Sequence, residues 1–213
     1  APPVQTTDPT RGGRYAKTQR RVLTRRGVIW LGQTCNLRCP FCMYIDRITN
    51  PKHPQHRFMS LDKAKHLCEV LRRFYGNTSV DIEGGEPTLY PQIFELLRYC
   101  NDIGLYPTLI TNAMVLSKPG LLEQYKEAGI RDFKVSMHGT GDAFEHIVNK
   151  PGAFAKLTAA LERMVELDIP LRLNCTMITP AVPTLYQVAE EAVRFGAINV
   201  SYLAYSPWSD QGP

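Results

Sequence analysis

The sequence predicts an α/β fold, a partial TIM-like barrel of six βα units with parallel strands and no last helix after the sixth strand. Two observations indicate the units: short apolar runs recur six times, and stretches of helical periodicity separate them. Strict alternation of strands and helices favours a parallel sheet with right-handed connections. Closed barrels of this type usually have about eight strands, so six units predict an open, partial barrel.

The strands and helices follow one another along the chain at regular intervals. The six predicted strands cover residues 27–32, 79–83, 105–110, 132–136, 171–178 and 199–204. The five predicted helices cover residues 60–74, 91–100, 117–128, 154–167 and 183–193. Ser60 and Ser117 are predicted as N-caps, because a hydroxyl can accept a hydrogen bond from the first turn. The segments 43–58 and 137–152 carry Pro and Gly and are predicted to be irregular loops.

The composition limits the classes of protein that need to be considered. Hydrophobic residues make up 44% and charged residues 21% of the 213 residues, which predicts a soluble globular protein. No apolar run approaches the roughly eighteen residues of a membrane-spanning helix, so we expect no membrane partner. Six Cys are too few for a disulfide scaffold. Clustered thiols favour a reducing, cytoplasmic location.

We expect two parts in the chain, a basic N-terminal arm at residues 1–26 and a barrel domain at residues 27–213. The arm holds seven Lys or Arg against one Asp, a charge of +6, so the rest of the chain is close to neutral within the net charge of +5. A basic arm could bind nucleic acid, but a solvated arm is the simpler interpretation, and we do not expect nucleic acid as a partner. Because an uncovered edge strand is a liability, we also expect that the natural protein continues beyond Pro213 or that another segment covers this edge.

Three thiols lie close together directly after the first predicted strand. Cys35, Cys39 and Cys42 have CxxxCxxC spacing, and one tight loop can turn all three sulfurs toward one point. Thiolates select zinc, Cu(I) or iron–sulfur clusters. Three ligands leave a fourth position of a cluster open, and an open position can serve chemistry.

A structural zinc site is the competing interpretation of these thiols. It usually needs a second pair of ligands, such as another CxxC or a pair of His. No second CxxC follows, and His53 and His56 lie in a polar loop, where we expect them to be solvated. The remaining thiols, Cys68, Cys100 and Cys175, are isolated within apolar helix or strand patterns and are predicted to lie in the core.

Every other unusual motif falls at the end of a predicted strand. Gly84 and Gly85 follow the second strand, Thr111 the third, Ser136 ends the fourth, and Asn174 lies late in the fifth. Functional loops of parallel β–α proteins gather at the carboxyl ends of the strands. We therefore expect these residues to meet the three thiols on one rim, where paired glycines allow a close backbone approach and Glu86 supplies a carboxylate.

CxxxCxxC followed by Gly84-Gly85-Glu86-Pro87 resembles the radical S-adenosylmethionine (SAM) superfamily. The resemblance covers about residues 27–205. Within the superfamily, the sequence most resembles the branch that holds the molybdenum-cofactor cyclase and the SPASM-type peptide maturases. The resemblance implies a six-unit partial barrel, a 4Fe-4S cluster on Cys35, Cys39 and Cys42, and bound SAM. The SAM contacts that it implies are at Phe41, Gly84, Gly85, Glu86, Pro87, Thr111, Ser136 and Asn174.

The activity that the resemblance implies is reductive cleavage of SAM to a 5′-deoxyadenosyl radical, which abstracts hydrogen from a peptide or a small molecule. An electron donor such as flavodoxin or ferredoxin is the implied partner. His138 and Tyr205 are candidates for contact with the substrate, since a His can pass protons and an aromatic side chain can form the wall of a pocket. The alternative is a non-catalytic, metal-binding interaction module whose basic arm binds nucleic acid.

Overall fold

The computed structural model describes residues 26–205, and these form a single parallel sheet with helices packed against one face. Six strands build the sheet. They are Arg26–Trp30 (β1), Ser79–Glu83 (β2), Tyr106–Thr111 (β3), Asp132–Ser136 (β4), Leu171–Met177 (β5) and Val200–Ala204 (β6). The predicted α/β class and all six predicted strands are confirmed, with bounds shifted by one residue or so.

The strands lie in the sheet in the order in which they occur in the sequence, and every neighbouring pair is parallel. β1 and β6 are the two edges, so the sheet curls without closing. This confirms the open, partial barrel. The register places Trp30 beside Glu83 and Ser136 beside Asn174, so residues predicted to share the rim belong to neighbouring strands.

Seven α-helices occur within residues 26–205, and they connect the strands. They are Ile45–Thr49 (α1), Leu61–Glu69 (α2), Ile93–Asp102 (α3), Leu121–Glu127 (α4), Gly141–Val148 (α5), Ala153–Glu166 (α6) and Leu185–Arg194 (α7). Ser60 caps α2 as predicted, accepting from the Lys63 backbone N–H at 3.4 Å. α2 then continues as one π-type turn, Val70–Phe74.

Three details of the helix prediction were wrong. Segments predicted as loops contain α1 and α5, although Phe144, Ile147 and Val148 have the three- and four-residue spacing of a buried helix face. Ser117 does not cap α4, which begins only at Leu121. The reason is the intervening Pro119, which disfavours helical backbone at the residue before it.

The hydrophobic core lies between the sheet and its helices. Alternate strand residues such as Val80, Ile82, Leu109 and Phe133 point into it and are fully buried. Cys68, Cys100 and Cys175 are also completely buried there, which confirms that they are core residues. The opposite, concave face of the sheet carries the polar strand residues.

The amino-terminal end of this concave face holds a cluster of ion pairs, which we call the basal ion network. Arg172 donates from Nη2 to Asp132 at 2.7 Å and from Nε to the same oxygen at 3.1 Å, and it lies 3.5 Å from Asp81. Arg26 pairs with Asp81 and donates to Thr108 at 3.3 Å. The network therefore links β1, β2, β3, β4 and β5 with its charges paired.

No helix in the described range is both long and apolar enough to cross a membrane. The proposed basic arm at residues 1–26 lies outside the described residues except for Arg26.

Candidate active site

A cavity of about 420 Å³ opens at the carboxyl ends of the strands. This volume lies within the range of small-molecule sites, roughly 300–1,000 Å³. Most of the predicted site residues line it. They are Cys35, Cys39, Phe41, Cys42, Gly84, Gly85, Thr111, Ser136, His138, Asn174 and Tyr205. The expectation that the strand-end motifs meet on one rim therefore agrees with the structure.

The three clustered thiols are free and half-buried in the wall of this cavity. Burial raises the pKa of Cys35 to about 11 and that of Cys39 to about 12, and it also raises the pKa of Cys42. These thiols are therefore neutral near pH 7, and a metal that binds them must displace protons.

The loop that carries the thiols turns tightly between the second and the third of them. The Cys42 backbone N–H donates to the Cys39 carbonyl at 3.0 Å. Within residues 26–205, no three His, Cys, Asp or Glu side chains are gathered around a single-ion site. An iron–sulfur cluster does not require its ligands to converge on a single ion, because each thiolate binds a different iron of the cluster. Three soft ligands on one cavity wall fit a cluster.

Gly84 and Gly85 hold the base of the cysteine loop. The Gly85 N–H donates to the Gly32 carbonyl at 2.7 Å, and the Glu86 N–H donates to the Thr34 carbonyl at 2.8 Å. A Cβ at Gly85 would lie 2.3 Å from the Thr34 oxygen, and one at Gly84 would lie 2.5 Å from the Gly32 oxygen. The paired glycines therefore allow the end of β2 to approach closely the backbone segment that leads into Cys35.

Glu86 and Pro87 lie behind the cavity wall, and both are buried. One Glu86 oxygen accepts from the Thr111 hydroxyl at 2.7 Å, from the Thr88 N–H at 3.0 Å and from the Thr88 hydroxyl, and the other accepts from the Asn112 N–H at 2.8 Å. Desolvation raises the pKa of this carboxyl, and these hydrogen bonds oppose the rise. The carboxylate therefore fastens the end of β2 to the end of β3.

Ser136 and Asn174 are neighbours across β4 and β5, and both line the cavity. The Asn174 Oδ1 atom is buried and has no hydrogen-bond partner in the described part of the chain. A buried polar atom without a partner is costly, and a ligand that donates a hydrogen bond removes the cost. Asn174 is thus suited to contact a ligand.

His138 is buried beside the thiol loop, with its ring edge-on to Phe41 at a centroid distance of 4.9 Å. Its Nδ1 accepts from the Thr176 backbone N–H at 3.0 Å, so the neutral ring carries its proton on Nε2. Burial lowers the pKa of His138 to about 4. Tyr205 also borders the cavity, and 40% of its surface is exposed.

Comparison with known proteins identifies the family. Residues 31–195 match the Radical SAM superfamily. The chain belongs to the radical SAM superfamily. Its members are enzymes that use a 4Fe-4S cluster and SAM, so the alternative of a non-catalytic metal-binding module is not supported.

Two similar proteins carry the names of different enzymes. The PqqA peptide cyclase of Methylobacterium nodulans is 33% identical over 186 residues, which are 84% of this chain and 46% of that protein. The AdoMet-dependent heme synthase of Methanosarcina barkeri is 29% identical over 175 residues, which are 81% of this chain and 48% of the relative. The chain thus spans about half the length of these curated relatives.

Solved structures show the same fold. The crystal structure of Streptococcus suis SuiB bound to S-adenosylmethionine has a TM-score of 0.70 and 22% identity, with 88% of this chain and 42% of SuiB covered. Native anSMEcpe with bound AdoMet and Kp18Cys peptide has a TM-score of 0.65 and 17% identity, with 88% and 53% covered.

Two other residues of this radical SAM site were not assigned a role from the sequence. Asn112 donates from Nδ2 to the Asn36 side chain at 2.8 Å and lies 3.8 Å from the Cys35 sulfur. Its position directly after Thr111, at the end of a predicted strand, was the feature of the sequence that indicated a place in the site. Glu83, the last residue of β2, also borders the cavity, but its place within an alternating strand did not distinguish it.

Proposed function

We propose that this chain is the SAM-cleaving core of an enzyme that modifies a peptide, with Cys35, Cys39 and Cys42 as the ligands of the 4Fe-4S cluster. The observation that carries the proposal is the meeting of the three thiols with the Gly84–Gly85 turn in one wall of one cavity. When bound there, the cluster and SAM would supply a 5′-deoxyadenosyl radical, which would take a hydrogen atom from the substrate.

The chain's own residues bind and orient SAM in this proposal. The contacts that we assign to SAM are at Phe41, Gly84, Gly85, Thr111, Ser136 and Asn174, all of which line the cavity. The buried Asn174 Oδ1 has no partner among residues 26–205 and can accept a hydrogen bond from a hydroxyl or an amine. Glu86 and Pro87 support this wall from behind, because the buried carboxylate holds Thr111 and the Asn112 backbone in place.

The cavity also limits the access of water to the thiols. Leu37, Phe144 and Val148 are buried residues of its lining, and they give the thiol loop an apolar surround. A site that excludes water protects a reactive species from side reactions. His138 is neutral and has its Nδ1 occupied by a backbone N–H, so we assign it a packing role against Phe41.

A peptide is the substrate class that the comparisons favour. The similar proteins include a PqqA peptide cyclase and SuiB bound to precursor peptide SuiA. The open side of the sheet, between β1 and β6, gives a bulky substrate lateral access to the cavity. We propose a cytoplasmic reaction whose electron comes from a protein donor such as flavodoxin or ferredoxin.

Reductive cleavage of SAM tests the proposal. The protein is reconstituted with iron and sulfide without oxygen, dithionite is added, and 5′-deoxyadenosine is measured by chromatography. We expect product from the wild type and none from Cys39→Ala. Cys68→Ala is the matched control, because that thiol lies in the core, and it should retain cleavage. Full cleavage by Cys39→Ala would refute the assignment.

A further inference from the structure

One part of the cavity is lined by residues that we have not assigned to the cluster or to SAM. It is lined by Trp30 of β1, Glu83 of β2, Leu203 of β6, Tyr205 and Tyr44. β1 and β6 are the two edge strands. This part therefore lies where the open side of the barrel meets the cavity, which is the side from which a substrate arrives.

Glu83 is the only carboxylate among the described residues of the cavity lining. Within residues 26–205, its side chain makes no hydrogen bond or ion pair. The neighbouring carboxylate of Asp81, by contrast, forms ion pairs with Arg26 and Arg172. Burial raises the pKa of Glu83, Asp81 raises it further, and the Lys134 charge opposes this rise. In the described part of the chain, the half-buried carboxylate thus lacks a direct counter-charge.

Aromatic rings lie beside this carboxylate. Trp30 is the register partner of Glu83 on the neighbouring strand, and its ring packs edge-on against Tyr44 at 4.7 Å. The Tyr44 ring already has the Arg47 guanidinium 5.0 Å from its centroid. A carboxylate next to aromatic rings is a favourable setting for an organic cation, because ion pairing and cation–π attraction act together.

We propose that Glu83, with Trp30 and Tyr44, forms a subsite for a cationic group of the substrate, a primary ammonium or a guanidinium. The inference rests on the proposed function, since it names the chemistry that the substrate presents at that cavity. A peptide would bring such a group as a Lys or Arg side chain or as its amino terminus.

Lys134 sets the strength of this subsite. It lies on β4 and faces the same side of the sheet as Glu83, with the intervening position occupied by Ile110, the register partner of Lys134. No ion pair within 4.0 Å joins Lys134 to a carboxylate of the described chain. Its positive charge repels an incoming cation at longer range, so removing it should strengthen cation binding.

The test measures binding of blocked amino acids to the reconstituted protein in the presence of SAM, by quenching of tryptophan fluorescence and by calorimetry. N-acetyl-lysine amide and N-acetyl-arginine amide are the cationic probes. N-acetyl-norleucine amide and N-acetyl-citrulline amide are neutral probes of similar shape. We expect the cationic probes to bind about tenfold more tightly than the neutral ones.

Three variants locate the effect. Glu83→Gln keeps the shape of the side chain and should abolish the preference for cations, whereas Glu190→Gln, a change at an exposed carboxylate remote from the cavity, should leave it intact. Lys134→Gln should tighten cation binding a few-fold. Equal binding of cationic and neutral probes, no binding of either cation at millimolar concentration, or an unchanged preference in Glu83→Gln would overturn the proposal.

The same titrations separate this inference from the proposed function. SAM binding by the wild type is measured first in the same cell. A protein that fails to bind SAM contradicts the proposed function itself. A protein that binds SAM and shows no preference for cations contradicts the cation subsite alone.

Discussion

The two ends of the concave face of the sheet differ in whether their polar groups have partners. At the amino-terminal end, the basal ion network pairs Arg172 with Asp132, and both side chains are largely buried, at 13% and 7% exposure. At the carboxyl end, the Asn174 oxygen and the Glu83 carboxylate lack partners within the described residues, and three neutral thiols line a cavity.

The amino-terminal end of the sheet therefore contributes mainly to stability, and the carboxyl end mainly to function. A paired, buried charge stabilises the fold only as part of its pair, and breaking the pair is costly. Polar groups without partners are a cost in the free protein that a ligand can remove. Changes at the amino-terminal end should therefore alter unfolding, whereas changes at the carboxyl end should alter cofactor chemistry as well.

Arg172→Met should give the largest change in stability. It leaves Asp132 buried without its guanidinium partner, so we expect the free energy of unfolding to fall by about 3–5 kcal/mol. Urea unfolding measures the loss. The double variant Arg172→Met with Asp132→Asn should recover much of it, and cleavage of SAM per folded molecule should persist. A loss below about 1 kcal/mol would show that the pair is effectively solvated.

Gly85→Ala should cost less stability but reduce catalysis. Its Cβ would meet the Thr34 and Gln33 carbonyls at 2.3 and 2.5 Å, which displaces the segment leading into Cys35. We expect a loss of about 1–3 kcal/mol in unfolding free energy, together with a loss of at least about tenfold in the rate of SAM cleavage.

Gly120→Ala is the control for Gly85→Ala. Its Cβ meets nothing within 4 Å, and only the backbone φ of +77° disfavours a side chain. It should cost about 1–2 kcal/mol and leave the cleavage rate unchanged. Equal rates in both variants would mean that the glycine turn does not position the thiol loop.

His138 should give a smaller effect that depends on pH. Burial lowers its pKa to about 4 in the folded protein, below the ordinary value of about 6.5. The unfolded chain therefore binds the proton more readily between these values, and stability is full above about pH 6.5 and falls as the pH drops toward 4. The loss should approach about 1 kcal/mol per pH unit.

Urea unfolding of the wild type and of His138→Gln over this pH range measures the contribution of His138. The variant should show a shallower fall in stability than the wild type, because it has no imidazole to protonate. Identical slopes would mean that His138 is accessible to protons in the folded protein.

Much of the fold and of the rim could be predicted because local patterns determine them. Alternating and apolar runs marked all six strands, and parallel topology brings their ends together whatever the intervening loops do. The thiol spacing and the glycine pair are contiguous in sequence, so their meeting requires little long-range information. The short helix α1 was missed because five residues carry almost no periodicity.

The partners of individual side chains could not be predicted, because they depend on tertiary packing. Glu86 was expected to supply a carboxylate at the rim, but its burial and its hydrogen bonds with Thr111 and the Asn112 backbone could not be foreseen. The free carboxylate of Glu83 was overlooked for the same reason. Only the register of β1 against β2 places it beside Trp30, and the sequence does not state which charges are already paired.

The most direct measurement of the central claim is the iron content of the protein reconstituted without oxygen. We predict about four irons per chain for the wild type, a loss of most of this iron in Cys39→Ala, and no loss in Cys100→Ala, whose thiol is buried in the core. A wild-type protein without iron, or a Cys39→Ala protein with full iron, would contradict the account.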